Sequence, residues 1–294
     1  MYELQNLSAL KCFIQDNVQP GEAYLCTLNG DFLSPSLLSS LDLGAAAVSA
    51  MNAIPVTHAC LGNHEFDHSI EILGQRLGEL DAEVVNTNVF ACPEGEEHSG
   101  KEATRMALAK RAAPATTETT EETVEALVAA PYPEASAGGG AQSSAGFFLD
   151  ALPRARVVEL GGVKIGLLGL CTTSTPMSSA RKPKGVVFAE CVPLAKAAAK
   201  ALSPEVDAVV ALTHQTLPED ARLAEEVPEL AAILGGHEHT PFAGRMGHGA
   251  NAAARIAQHR TASSKASSAS RAAHECVNEE SGTLCVKAGM DAEN

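Results

Sequence analysis

Apolar positions along this 294-residue chain change period several times. Leu7, Leu10, Ile14 and Val18 fall at helical spacing, so a packed helix over about 7–17 begins within a few residues of Met1. The apolar runs AYLCTL (23–28) and VTHACL (56–61) predict buried strands, with a helical stretch from about Ser36 to Ala53 between them. Ile70, Leu73, Leu77 and Leu80 share one helical face, and EVVNTNV (83–89) predicts another strand. RVVEL, the Gly161-Gly162 pair and VKIGLLGL read as strand, turn and strand. An alanine-rich helix over 193–202, the strand VDAVVAL (206–212), a helix over 221–227 and the short buried strand AAIL (231–234) follow. Strand character returns in TLCVKAGM, close to the last residue. Strands alternating with helices predict a layered α/β fold with much parallel pairing.

Two stretches break this rhythm. Residues 91–147 are rich in Ala, Thr, Glu, Gly and Ser and poor in large apolar side chains. They bury too little surface to offset their ordering entropy, which predicts a disordered or loosely helical insertion. A second Ala/Ser-rich, aperiodic segment runs over 244–282. The expected organisation is one domain over 1–294 carrying these two insertions.

Composition narrows the function. A formal net charge of −15 with no offsetting basic stripe argues against general nucleic-acid binding. An acidic protein that handles phosphate needs metal cations or a local positive site to attract it. The eight cysteines are dispersed and include no CxxC pair, so free thiols are expected rather than disulfides or a zinc–thiolate site. That usage points to a cytoplasmic compartment, and a leader upstream of Met1 would reverse the reading. No apolar run is long enough for a membrane span.

The chemistry-bearing residues follow the strands. Asn29-Gly30-Asp31 comes after AYLCTL, and Gly62-Asn63-His64-Glu65-Phe66-Asp67 after VTHACL. Thr213-His214 follows VDAVVAL, and Gly235-Gly236-His237-Glu238-His239 follows AAIL. Each signal alone has an ordinary structural reading. Gly-Asp makes turns, Asn63 suits a helix cap with Glu65 and Asp67 in its first turn, and His214 suits a core position. Together they occupy equivalent places, in the crevice beyond the carboxyl ends of the strands where α/β sheets bind ligands. Oxygen and imidazole donors without thiolate suit Zn, Mn, Fe, Co or Ni. A carboxylate such as Asp31 is able to bridge two ions. Thr172 to Thr175, after VKIGLLGL, reads as a polar turn.

The series GD, GNHE, a lone His and GHxH resembles that of the calcineurin-like metallophosphoesterases. The longer forms GNHEFD and GGHEH, with FLSPS after GD, resemble the 5′-nucleotidase branch. The resemblance covers about 2–90, 148–242 and 284–294. It implies a four-layer α/β/β/α sandwich and two divalent metal ions at the strand ends. Asp31 would bridge them, Asn63, His214 and His237 would complete one site, and His239 would serve the other. His64, held by Asp67, would contact the phosphate and act as the catalytic histidine while a metal-activated hydroxide attacks phosphorus in line. The implied substrate is a small phosphorylated molecule, most simply a nucleotide.

The family pattern also includes an Asp-x-His motif at the end of a first strand. Laid over MYEL, it puts Tyr2 at the His position and the Asp one residue before Met1. The expectation is therefore a fold lacking its first strand, with one metal site short of ligands. A phenol that ionises near pH 10 is a poor replacement for imidazole. The C-terminal nucleoside-clamping domain of 5′-nucleotidases is likewise expected to be absent. A phosphodiesterase, or a weakly active or inactive metal- and phosphate-binding member, remains an alternative within the same resemblance.

Overall fold

The computed structural model describes residues 4–92, 98–112, 147–246 and 282–287. The Met1–Tyr2 overlay and the low-complexity stretches over 113–146 and 247–281 lie outside these residues. The elements in chain order begin with helix α1 (Leu4–Asn17), strand β1 (Thr27–Asn29), helices α2 (Ser39–Asp42) and α3 (Ala45–Asn52), and strand β2 (His58–Cys60). Helix α4 (Ile70–Glu79) and strands β3 (Glu83–Val84) and β4 (Val89–Ala91) come next. Helices α5 (Gly100–Ala112) and α6 (Phe147–Ala151) lead to strands β5 (Arg156–Leu160) and β6 (Val163–Cys171). Then follow α7 (Thr175–Ser178), β7 (Val186–Phe188), α8 (Cys191–Leu202), β8 (Ala208–His214), α9 (Leu217–Glu226), β9 (Leu230–Gly235), β10 (Phe242–Met246) and β11 (Thr283–Lys287).

Two sheets carry the site. Strands β1, β2 and β3 form a parallel sheet in that order. The larger sheet has the order β10-β11-β9-β8-β6-β5, with the β11, β9, β8 and β6 run parallel and antiparallel strands at both edges. Apolar clusters separate the layers. Helices α8 and α9 cover one face of the larger sheet through Ala195, Ala198, Leu202, Leu223 and Ala224. The smaller sheet packs on α1, α3, α4 and α6 through Val48, Met51, Leu73, Leu77 and Leu149. Between the sheets lie Cys60, Leu167, Val210 and Leu212. The result is the α/β/β/α sandwich.

Helix α4 shows how local sequence sets an element. Ser69 accepts from the Ile72 N–H at its start, and Leu73 and Leu77 bury its inner face. At α9, Thr216 and Glu219 form a capping box, with Pro218 in the first turn.

Several elements differ from the sequence reading. The expected strand over 23–28 is only β1, which among the described residues pairs with β2 alone and is partly exposed. The expected helix from Ser36 to Ala53 is two helices, because Leu43 and Gly44 both take left-handed backbone conformations (φ 56° and 84°). EVVNTNV pairs as a strand only at Glu83–Val84 and again from Val89. Between them the chain crosses to the other sheet, where the Thr87 N–H donates to the Gly169 carbonyl at 2.7 Å. Asn88 fixes the crossing, donating from Nδ2 to the Cys171 and Ala189 carbonyls and accepting from the Cys171 N–H. Within the stretch expected to be loose, α5 packs Ala103, Ala107 and Leu108 on Val187 and Leu194. Strand β10 likewise enters the second aperiodic stretch by pairing with β11. All seven described cysteines are free thiols, and Cys12 among them is exposed.

Candidate metal centre

The ends of four parallel strands meet at one place. Asp31 and Asn63 come from the loops after β1 and β2, His214 from the end of β8, and His237 from the loop after β9. Asp31 Oδ2 is 2.9 Å from His214 Nε2. Asn63 Oδ1 and His237 Nδ1 each lie 3.1 Å from that same nitrogen. The other ring nitrogen, Nδ1, donates to the Asn29 carbonyl at 2.6 Å. Single ligand atoms of Asp31, His214 and His237 all fall within 4.8 Å of one another.

Three electron-pair donors thus converge on one ring nitrogen that carries at most one proton, which can satisfy only one of them. A divalent cation among the four groups would satisfy every lone pair at once, so the donor set fits a metal ion. His237 stands at φ 70° and Asp31 at φ 59°, so the ligands themselves occupy the left-handed region. Gly30 shares it (φ 81°), but Gly62 and Gly236 are there for space. A Cβ at Gly62 would overlap Asp31 Oδ1, and one at Gly236 would overlap the Asn29 carbonyl.

Electrostatics support the same picture. Burial alone would push the Asp31 carboxyl up, but the His214 ring and the His64 N–H hold it below the ordinary value. Burial works against protonation of His214, and Asp31 outweighs it, so the ring sits above its usual value. Burial, with His214 beside it, lowers His237 and favours the neutral, ligating form.

Glu65 organises the first loop, a role that the sequence reading missed when it placed this residue in a helix turn. Its carboxylate is fully buried. Oε2 accepts from the Asp31 and Gly62 N–H groups at 2.7 Å each, and Oε1 from Phe32 at 2.8 Å and Leu33 at 3.1 Å. Burial pushes this carboxyl up, with the Asp31 charge adding to the effect.

His64 and Asp67 form a pair beside the centre. His64 Nδ1 donates to Asp67 Oδ2 at 2.8 Å, and that oxygen also accepts from the Ser34 hydroxyl at 2.7 Å. Asp67 Oδ1 accepts from the Ala180 N–H at 2.6 Å. The bond to Asp67 raises His64 above its ordinary value. Asp67 is held below its own, although burial alone would raise it. The chain just beyond the polar turn read over Thr172 to Thr175 therefore touches the site. Its Ala180 N–H holds Asp67, and its Ser178 carbonyl accepts from Asn63 Nδ2 at 3.1 Å, which turns Asn63 Oδ1 toward His214. His239 stands exposed two residues beyond His237 and is not in the three-residue donor group.

An α/β/β/α sandwich with Asp, Asn and His donors at its strand ends has the fold of the 5′-nucleotidase metallophosphoesterases, the class to which the four motifs pointed. The proteins it matches in sequence are 5′-nucleotidases and a nucleotide phosphoesterase. The chain is 27% identical over 215 residues to a trifunctional nucleotide phosphoesterase of Bacillus subtilis, covering 72% of this chain and 13% of that protein. It is 25% identical over 212 residues to a snake venom 5′-nucleotidase of Gloydius brevicauda, covering 72% of this chain and 28% of that one. A 5′-nucleotidase precursor from Thermus thermophilus superposes with a TM-score of 0.56 at 22% identity, over 83% of this chain and 40% of that one. The chain thus spans under a third of the curated relatives it matches. No protein-family model matches it. Among the described residues no helix is long and apolar enough to cross a membrane.

Proposed function

We propose that this chain is the catalytic core of a metal-dependent phosphoester hydrolase that releases phosphate from nucleotides. The observation that carries the reading is the convergence of Asp31, Asn63 and His237 on His214 Nε2. Asp31, Asn63, His214 and His237 would hold one divalent cation, and a second would use Asp31 and His239. Bound cations of this kind supply an activated water and neutralise phosphate charge. The domain reading is one catalytic unit carrying insertions at 91–147 and 244–282.

The remaining roles belong to the protein's own groups. With Nδ1 donating to Asp67, His64 keeps Nε2 as the atom that hydrogen-bonds a phosphate oxygen or passes a proton to the leaving group. Asp67 stabilises the charged imidazole and, through Ser34 and Ala180, fixes its orientation. Glu65 keeps Asp31 turned into the site.

The test is phosphate release from nucleoside monophosphates by metal-loaded protein, beside Asp31→Ala and His64→Ala. We expect Asp31→Ala to abolish turnover and metal binding together. His64→Ala should lower kcat about 10²–10⁴-fold with metal content unchanged. Activity that survives Asp31→Ala would overturn the mechanism, and preference for diester substrates would reassign the chain as a phosphodiesterase.

A further inference from the structure

Strand β11 ends in a lysine buried on all sides: the Lys287 side chain has no exposed surface, and neither has that of Asp220 on α9. The ammonium donates to the Gln215 and Gly236 carbonyls at 2.7 Å each and lies 2.7 Å from Asp220 Oδ2. Two hydrogen bonds and an ion pair thus hold the ammonium in place. Asp220 Oδ1 accepts from Gln215 Nε2 at 3.0 Å, closing the network.

The two carbonyls are not arbitrary. Gln215 follows His214 and Gly236 precedes His237, so one ammonium binds the chain one residue from each imidazole. The paired register of β8 and β9 ends at Thr213 and Gly235, with one more bond from the Gly236 N–H to the Thr213 carbonyl. Just past that point Lys287, arriving from β11 on the far side of β9, ties the two strand ends together. Gly235 leaves room for it. A Cβ there would come within 3.0 Å of Lys287 Cγ and Nζ and 3.1 Å of Asp220 Oδ2, in a backbone conformation that needs no glycine.

We propose that Lys287 is a positioning residue for the metal centre, setting the separation of the His214 and His237 strand ends with Asp220 as its buried counter-charge. The inference rests on the metal reading of the site. Lys287 touches no ligand side chain. It acts through the backbone carbonyls that fix where the two rings stand, 3.1 Å apart between His214 Nε2 and His237 Nδ1.

The experiment titrates metal-free protein with cobalt(II), following visible absorption and heat of binding, in wild type, Lys287→Met and the double variant Lys287→Met with Asp220→Leu. Removing both charges avoids a buried unpaired carboxylate, so the double variant should fold, less stably than wild type because the Gln215 and Gly236 carbonyls lose their donor. We expect it to bind cobalt about 10–100-fold more weakly and to show an altered absorption envelope. Lys287→Met should show the same weakening on a less stable fold, since it leaves Asp220 unpaired. Wild-type affinity and spectrum in a folded variant would overturn the positioning role while leaving the proposed function intact. Failure of wild-type protein to bind cobalt would overturn both.

Discussion

Asp31 carries a side chain in a backbone region that glycine occupies freely and most residues avoid. Glu65 compensates, spreading four backbone N–H groups from Gly62 and Asp31 to Leu33 over its two oxygens. Glu65→Gln tests this directly. An amide has one oxygen, so whichever way it turns, its NH₂ faces two donors. Urea unfolding of metal-free protein should show a loss of about 3 kcal/mol or more, with weaker cobalt binding. An unchanged midpoint would mean that Glu65 does not hold this loop. The His64–Asp67 pair makes a second residue-scale prediction, in pH. His64 is raised in the fold, so its contribution is complete below about pH 6.5 and is lost as pH rises through the raised value. Asp67 is lowered, so its contribution is complete above about pH 3.9 and is lost as pH falls through the lowered value. The stability difference between wild type and Asp67→Asn should therefore peak at about 1 kcal/mol between roughly pH 4 and 6.5 and shrink on both sides. A difference flat from acid to alkaline pH would assign the effect to packing instead.

At the scale of elements, periodicity located most helices and strands, because α4, α8 and β8 bury one face or one run against a neighbouring layer. It also put Asp31, Asn63, His214 and His237 at the carboxyl ends of parallel strands, which the structure divides between the two sheets. What it could not show was where tertiary contacts override local pattern. Val84, Val85 and Val89 suggest one strand, yet Asn86, Thr87 and Asn88 leave the smaller sheet to bond Pro153, Gly169 and Cys171. Their partners lie more than 60 residues away, so no local window contains the reason. Glu65 and Lys287 escaped notice for the same cause, their acceptors or donors being supplied by distant loops. The crossing also explains Gly169, where a Cβ would overlap the Val85 carbonyl inside the fold. Gly169→Ala should destabilise by about 3 kcal/mol or more, because backbone rather than a flexible side chain must yield. A thermal melt within a degree or two of wild type would mean that the two sheets slide freely here.

For the whole molecule, the site is a joint between two separately cored layers. Asp31 and Asn63 come from the smaller sheet, His214 and His237 from the larger, and the apolar cluster between the sheets has fewer buried residues than the cores on their outer faces. A cation held by all four would therefore staple the sheets, and its binding energy would add to stability by mass action. At about a hundredfold excess over Kd the gain is about 2.7 kcal/mol, or about 5–10 °C in thermal midpoint for a chain of this size. The decisive comparison removes one ligand from each side. Asp31→Asn tolerates the left-handed backbone and strips the smaller sheet's charge, whereas His214→Ala strips the larger sheet's imidazole. If the ion joins the layers, either change should abolish most of the cobalt-dependent shift. If one sheet holds the ion alone, the substitution on the other side will leave most of it. Diffuse attraction of cations to a chain of net charge −15 predicts a third result, a similar shift in wild type and both variants, and that outcome would dissolve the joint altogether.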